Sequence, residues 1–198
     1  MVAVQVRKHW IAPEDYLELE RNAEFKSEYL EGQIFAMSGG SPEHSAITVN
    51  ITRELSLQLK GRPCQAFSND LKVRTSYTGL YAYPDLTVVC SEPIYHDEKR
   101  DIITNPVVII EVLSPSTEAF DRGRKFAHYQ NILSLLDYIL IAQDQPWIDH
   151  YARQPNNRWL LTPVVGLESS LWIPSIECDL RLAEVYDRIV FADTRSQD

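Results

Sequence analysis

The run Val107-Val108-Ile109-Ile110-Glu111-Val112-Leu113 constrains this chain more than any other stretch. Its β-branched residues suit a strand, and an unbroken apolar strand is one covered on both faces. Glu111 sits inside it. A charged carboxylate in such a strand costs several kcal/mol unless something compensates for it. A second strand-like run, Leu86-Thr87-Val88-Val89-Cys90, also carries an acid, Asp85, at its entry, just after Tyr83-Pro84. Alternation puts Asp85, Thr87 and Val89 on one face, and Val107, Ile109, Glu111 and Leu113 on one face of the other strand. If the two strands are neighbours, Asp85 and Glu111 converge at one sheet edge.

The rest of the chain supplies elements to cover those strands. Pro13 to Arg21 is a helix candidate with proline and acids in its first turn. Residues 26–37 form a hairpin turning at Glu31-Gly32. Ser41 caps the clearest helix, Pro42 opens it, and Ile47, Ile51, Leu55 and Leu59 form one apolar stripe until Gly61 stops it. His44 lies a turn before that stripe. Cys64 to Ser68 and Leu71 to Thr75 read as strands, the latter with Leu71 and Val73 alternating against Lys72 and Arg74. Glu92 to Asn105 is a polar loop. Ala119 to Ile132 is helical, with Arg122, Lys125, Phe126 and Tyr129 at helical spacing. Leu136 to Ala142 is a strand, and Trp147 to Arg153 pairs with Arg158 to Val164. Asp179 is placed to cap a last short helix through Ile189. This order predicts an α/β or α+β domain: a mixed central β-sheet flanked by helices, with additional C-terminal antiparallel strands. One domain is expected over residues 1–198, with its core about 13–190 and a frayed tail at 191–198.

Composition narrows the function classes. No apolar stretch approaches the roughly 20 residues that cross a bilayer, and Met1 to His9 lacks a signal-peptide pattern. Cys64, Cys90 and Cys178 are widely spaced and odd in number, which argues against a disulfide framework or a zinc site. Cys90 reads as a small buried hydrophobe. A reducing, cytoplasmic setting is expected. The net charge of -9 opposes nucleic-acid binding, because phosphate neutralisation by Lys and Arg supplies most of that affinity. Basic residues are nonetheless grouped, as Lys72 with Arg74, Lys99 with Arg100, and Arg122, Arg124 and Lys125. The first two groups read as solvated surface.

The chemistry that the acids permit is divalent-cation chemistry. Oxygen ligands of this kind suit Mg²⁺ or Mn²⁺, which stabilises charge on a phosphodiester and acidifies a bound water. Each residue also has a plain structural role open to it: Asp85 as a turn residue, Glu111 paired with a buried arginine, Lys125 on a solvated helix face. His44 would then be a capping or packing group, and Glu28 an outward polar residue on a hairpin strand. The combination acid, acid, lysine in this order fits one mechanism.

Pro84-Asp85, Glu111-Val112-Leu113-Ser114-Pro115-Ser116-Thr117 and Asp121-Arg122-Gly123-Arg124-Lys125-Phe126-Ala127-His128-Tyr129 resemble the Uma-two family of restriction-endonuclease-like proteins. Glu28-Tyr29-Leu30-Glu31-Gly32-Gln33, the helix containing His44, and Asp137-Tyr138-Ile139-Leu140-Ile141 extend the resemblance over most of the chain. The family belongs to the PD-(D/E)XK nuclease superfamily, whose fold is a mixed sheet flanked by helices. The resemblance implies a Mg²⁺-dependent endonuclease acting on DNA. It implies that Asp85 and Glu111 hold the metal, with the backbone carbonyl of Val112 as a further ligand. The superfamily pattern places a lysine two residues after the second acid, where this chain has Leu113. Lys125, from the following helix, takes that place. Glu28 and His44 match family positions of supporting role. A homodimer is expected if both DNA strands are cut, with Trp147, Trp159 and Trp172 as candidate contact surface. Two rival readings stay open: a non-catalytic nuclease-fold binding module, and a hydrolase of a non-nucleic phosphoester.

Overall fold

The computed structural model describes residues 10–75 and 79–191. The Met1 to His9 segment, and the tail after Phe191, lie outside the described residues. Helix α1 spans Pro13–Arg21. A hairpin of β1 (Ser27–Leu30) and β2 (Gln33–Ala36) follows, and both turn residues take positive φ, Glu31 at 47° and Gly32 at 86°. That is the two-residue turn whose twist matches the flanking strands. Helix α2 (Pro42–Leu59) starts as expected, with the Ser41 hydroxyl accepting the backbone N–H of His44 at 3.0 Å. Then come β3 (Cys64–Ser68), β4 (Lys72–Arg74), β5 (Leu80–Ala82), β6 (Leu86–Cys90), β7 (Ile102–Ile103) and β8 (Val108–Val112). A broken helix, α3 (Glu118–Phe120), a π-helical turn (Asp121–Lys125) and α4 (Phe126–Tyr129), leads to β9 (Asp137–Ile141). The chain closes with β10 (Trp147–Arg153), β11 (Trp159–Val165), β12 (Ser170–Ile173), β13 (Cys178–Arg181) and α5 (Leu182–Val185).

The central sheet has strand order β11-β10-β9-β8-β6-β3 and is mixed: β8 and β9 are parallel, its other neighbours antiparallel. On one face the α2 stripe of Ile47, Ile51, Leu55 and Leu59 packs against Leu86, Val88, Val108, Ile110 and Val112. Truncating one of these, such as Leu55→Ala, is expected to cost about 2–5 kcal/mol, the cost of a cavity in a close-packed core. On the other face Ile109, Leu113, Tyr138 and Leu140 pack against Phe126 and Tyr129. The same cluster takes in Leu30, Val73, Leu80 and Ala82 from a second sheet, ordered β2-β1-β5-β4-β7. Helix α1 covers the far side of that second sheet through Tyr16, Tyr29 and Tyr81. Both faces of β6 and β8 are therefore buried, which is why they read as unbroken apolar runs.

Several expectations are corrected. Asp179 lies in β13, and the last helix begins only after Arg181, because residues 170–181 fold as a hairpin. The 92–105 loop contains β7, held parallel to β4. Lys72 is buried, not solvated: both faces of β4 are covered, so its ammonium lies 4.9 Å from the Tyr83 ring centroid and 3.8 Å from Asp101. Cys64 and Cys90 are joined by a disulfide, and Cys90 is only partly buried. They are directly opposed in the β3–β6 register, a neighbourhood that their separation of 26 residues does not announce.

Candidate active site

Strand register brings the two acids together. Leu86 pairs with Ile110 and Thr87 with Ile109, so continuing by one residue sets Asp85 opposite Glu111. Directly opposed residues share a face with their Cβ atoms about 5 Å apart. Asp85 is fixed by its Oδ2, which accepts the backbone N–H of Val112 at 2.8 Å. Both carboxylates are buried.

The broken helix supplies the cation. Lys125 is 5% exposed, and a lysine that deep persists only when paired. Its Nζ lies 2.9 Å from Glu111 Oε1, 3.1 Å from Glu28 Oε1 and 3.6 Å from Asp121 Oδ1. Burial pulls its pKa down, but Glu111, Glu28 and Asp121 together outweigh that and hold the ammonium charged, well above its ordinary value. Burial pushes the Glu111 carboxyl well up, against the pull of Lys125. Tyr129 donates its hydroxyl to Glu111 Oε1 at 3.1 Å. Glu28 also accepts the Tyr83 backbone N–H at 3.0 Å, which ties the hairpin to the approach to β6.

His44 completes the group from the N-terminus of α2. Its Nε2 is 3.2 Å from Asp85 Oδ2. The Asp85 carboxylate raises the imidazole pKa against the effect of burial, and the Val112 backbone raises it further. The imidazole thus faces both Asp85 and the backbone at Val112.

All five side chains singled out in the sequence, Glu28, His44, Asp85, Glu111 and Lys125, therefore meet, together with the backbone of Val112. Leu113, where the superfamily pattern has its lysine, is buried in the cluster that contains Phe126. Sequence reasoning missed two members. Asp121 is 3% exposed, and burial raises its pKa. Tyr129 is fully buried on Glu111. The signal was available, since Asp121, Lys125 and Tyr129 recur every four residues and so share one helix face. The π-helical turn between Asp121 and Lys125 is a deviation common at functional sites.

Four carboxylates here face one ammonium and one imidazole. Among the described residues, no three His, Cys, Asp or Glu side chains form a ready metal cluster. Mg²⁺ takes one or two carboxylates and keeps several waters, so Asp85, Glu111 and a backbone carbonyl are a donor set that fits it.

The proposed dimer tryptophans divide. Trp147 donates Nε1 to Asp149 at 2.8 Å, Trp159 packs on Phe126 and Arg153, and Trp172 is 54% exposed.

Comparison with known proteins places the chain. A family model described as "Uma2: Putative restriction endonuclease" matches residues 13–183. Two proteins of Synechocystis sp. (strain ATCC 27184 / PCC 6803 / Kazusa), "Uncharacterized protein sll1609" and "Uncharacterized protein slr1290", are similar in sequence. The first is 36% identical over 84% of this chain and 93% of its own length, the second 40% over 76% and 78%. In structure the chain is similar to the crystal structure of "a putative nuclease belonging to DUF820" from Anabaena variabilis ATCC 29413. The TM-score is 0.75 at 21% identity, covering 91% of this chain and 99% of that one, a likeness of fold. No described helix is long and apolar enough to cross a membrane. This chain, with its mixed sheet flanked by helices, belongs to the Uma2 family.

Proposed function

We propose that the protein is a Mg²⁺- or Mn²⁺-dependent endodeoxyribonuclease, hydrolysing phosphodiester bonds in DNA. The observation that carries this reading is Glu111, buried in a central strand, opposite Asp85 and in contact with a buried lysine. Family membership and the nuclease fold of the Anabaena neighbour support it. When bound by Asp85, Glu111 and the Val112 carbonyl, the ion supplies charge neutralisation at the phosphate and acidification of water.

The chain's own groups do the remaining work. Lys125, 2.9 Å from Glu111, is placed to orient or activate the attacking water and to stabilise phosphate charge. Glu28 and Asp121 hold Lys125 in place. His44 keeps Asp85 oriented through its Nε2 contact. In the hydrolysis itself, water oxygen bonds to phosphorus, one P–O bond breaks, and of the two water protons one ends on the departing oxygen and the other on the new phosphate or in solvent.

The test is plasmid nicking with Mg²⁺ by the wild type, Asp85→Asn and Lys125→Ala. Equal nicking by all three preparations would refute the assignment. Ca²⁺ is expected to support binding without cleavage. The net charge of -9 favours one rival, a binding module that keeps the fold without turnover. Calorimetry separates them, since a pure binder shows no Mg²⁺ or Mn²⁺ affinity lost in Asp85→Asn. Turnover of a small model diester, with DNA resistant, would favour the non-nucleic phosphoesterase.

The reading includes a single domain in the cytoplasm, against which the Cys64–Cys90 disulfide stands, because a reducing compartment keeps such pairs as thiols. Thiol labelling of protein from freshly lysed cells checks that. It also includes a homodimer for double-strand cleavage, with the exposed Trp172 at its contact, checked by light scattering.

A further inference from the structure

The site's carboxylates and lysine are deeply recessed, with Asp85 at 8%, Glu111 at 4%, Asp121 at 3% and Lys125 at 5% exposure. The phosphates of a duplex lie on the outside of a stiff rod, and reaching a recessed group is easier for a strand that has left its helix. The protein also lacks the electrostatic means of holding a duplex. Its net charge is -9, and the flanking Arg122 and Arg124 are engaged by Glu118, Asp149 and Glu31. Affinity for DNA must therefore come largely from contacts other than phosphate neutralisation.

The hairpin offers such contacts. Phe35 is paired directly across from Glu28 in the β1–β2 register. Opposed residues share a face, so the Phe35 ring stands on the side of the hairpin that carries Glu28 to Lys125. Leu30, on that same face, is buried in the cluster beneath the broken helix, which fixes the direction. Phe35 is itself 44% exposed, an apolar ring left in solvent beside a charged site. Across from it lies Phe120, the residue before Asp121, with ring centroids 6.4 Å apart and planes tilted by 32°. One aromatic thus borders the carboxylate site from the hairpin and the other from the helix.

We propose that Phe35 and Phe120 form a platform on which a base of unpaired DNA stacks, delivering the adjoining phosphodiester to the recessed acids. This rests on the nuclease reading above and names its substrate class, a single-stranded or locally unpaired stretch. Stacking tolerates any base, since every base has a π-face. A single-strand cut needs one site, so this substrate does not require a dimer.

The first experiment measures fluorescence anisotropy of a labelled single-stranded oligonucleotide in Ca²⁺, with its duplex and an abasic strand of equal length as comparisons. The single strand is expected to bind most tightly, and Phe35→Ala to weaken it about tenfold, the loss typical of one stacked base. Phe35→Trp should restore binding, which a merely structural role for the ring would not predict. Circular dichroism of Phe35→Ala checks its folding, and the ring's exposure makes loss of the fold unexpected. Equal affinity for the abasic strand, or an unchanged Phe35→Ala, overturns the platform.

The second experiment compares cleavage of single-stranded circular DNA with relaxed duplex plasmid in Mg²⁺. Equal rates on both overturn the substrate class and leave the nuclease reading standing. Binding that depends on Phe35 with no cleavage of either DNA has the opposite meaning: the platform stands and the nuclease reading falls.

Discussion

The two ends of the parallel β8–β9 pair both bury charge, and they do it differently. At the leading end Asp137 lies beside Val108 and is 2% exposed. Its Oδ1 meets His150 Nε2 at 2.6 Å, and its Oδ2 accepts the Ser175 hydroxyl. Among the described residues each oxygen has one side-chain partner, and no other carboxylate contends for them. At the trailing end Glu111 lies beside Leu140 and shares Lys125 with Glu28 and Asp121, while Asp85 stands opposite. Burying a carboxylate demands compensation in either place. The Asp137 end supplies it within the chain. The Glu111 end sets four carboxylates against one ammonium and one imidazole, the imbalance on which the proposed cation site rests.

The sharpest way to break that comparison is to mutate both ends. Asp85→Asn and Lys125→Ala are expected to lower DNA cleavage on the order of 10²-fold or more, the scale of losing one preorganised electrostatic group. Asp137→Asn should leave the rate intact and instead lower stability by about 1–3 kcal/mol in urea unfolding, because the amide keeps one acceptor oxygen where His150 and Ser175 used two. Reversed effects would mean that the catalytic end has been misassigned.

Divalent cation offers the next contrast. At a hundredfold excess over Kd, Mg²⁺ or Mn²⁺ should stabilise the wild type by about 2.7 kcal/mol, seen as a higher melting temperature. The gain should vanish in Asp85→Asn and persist in Asp137→Asn. Cation-independent melting of the wild type would reduce the Glu111 end to a second structural network.

A smaller effect follows from Asp121. Burial raises its pKa, so the folded state binds a proton more readily than the unfolded one. Its charged form therefore costs stability above that raised pKa, and the cost is relieved as pH falls through it. Without divalent cation at neutral pH, Asp121→Asn is expected to stabilise the protein by roughly 1 kcal/mol. Destabilisation by as much would show that Lys125 needs every one of its acids.

The smallest effect lies away from both ends. The Arg21 guanidinium, bonded to Asp101 and Asp97, holds both carboxyls below their ordinary value of 3.8. That stability is fully present above 3.8 and is lost as pH falls through the lower folded values. The groups are partly exposed, so Arg21→Ala should flatten acid unfolding by less than about 1 kcal/mol. A larger change would place a third buried charge network at α1.

Much of this was legible before any fold was known. Glu111 stood out because a carboxylate in an unbroken β-branched run needs a reason, and the Ser41-Pro42 start of α2 placed His44 at a helix entrance. Asp121 and Tyr129 went unassigned because a carboxylate and a phenol in a helix are ordinary until their burial is known. The Cys64–Cys90 bridge, the burial of Lys72 and the β12–β13 hairpin were illegible for a related reason. Each depends on which strands become neighbours and which faces are covered, and neither is a local property.

The sequence by itself determined the two acid-bearing central strands, the α2 stripe, the hairpin turn and the family, since all of these rest on residue type at short spacing. Only the tertiary structure decided that β6 lies antiparallel to β8 in a register setting Asp85 against Glu111, and that a π-helical turn delivers Lys125 to both Glu111 and Glu28. The physical reason is distance along the chain: register and helix docking are fixed by long-range packing of both sheet faces, to which no single segment holds the key.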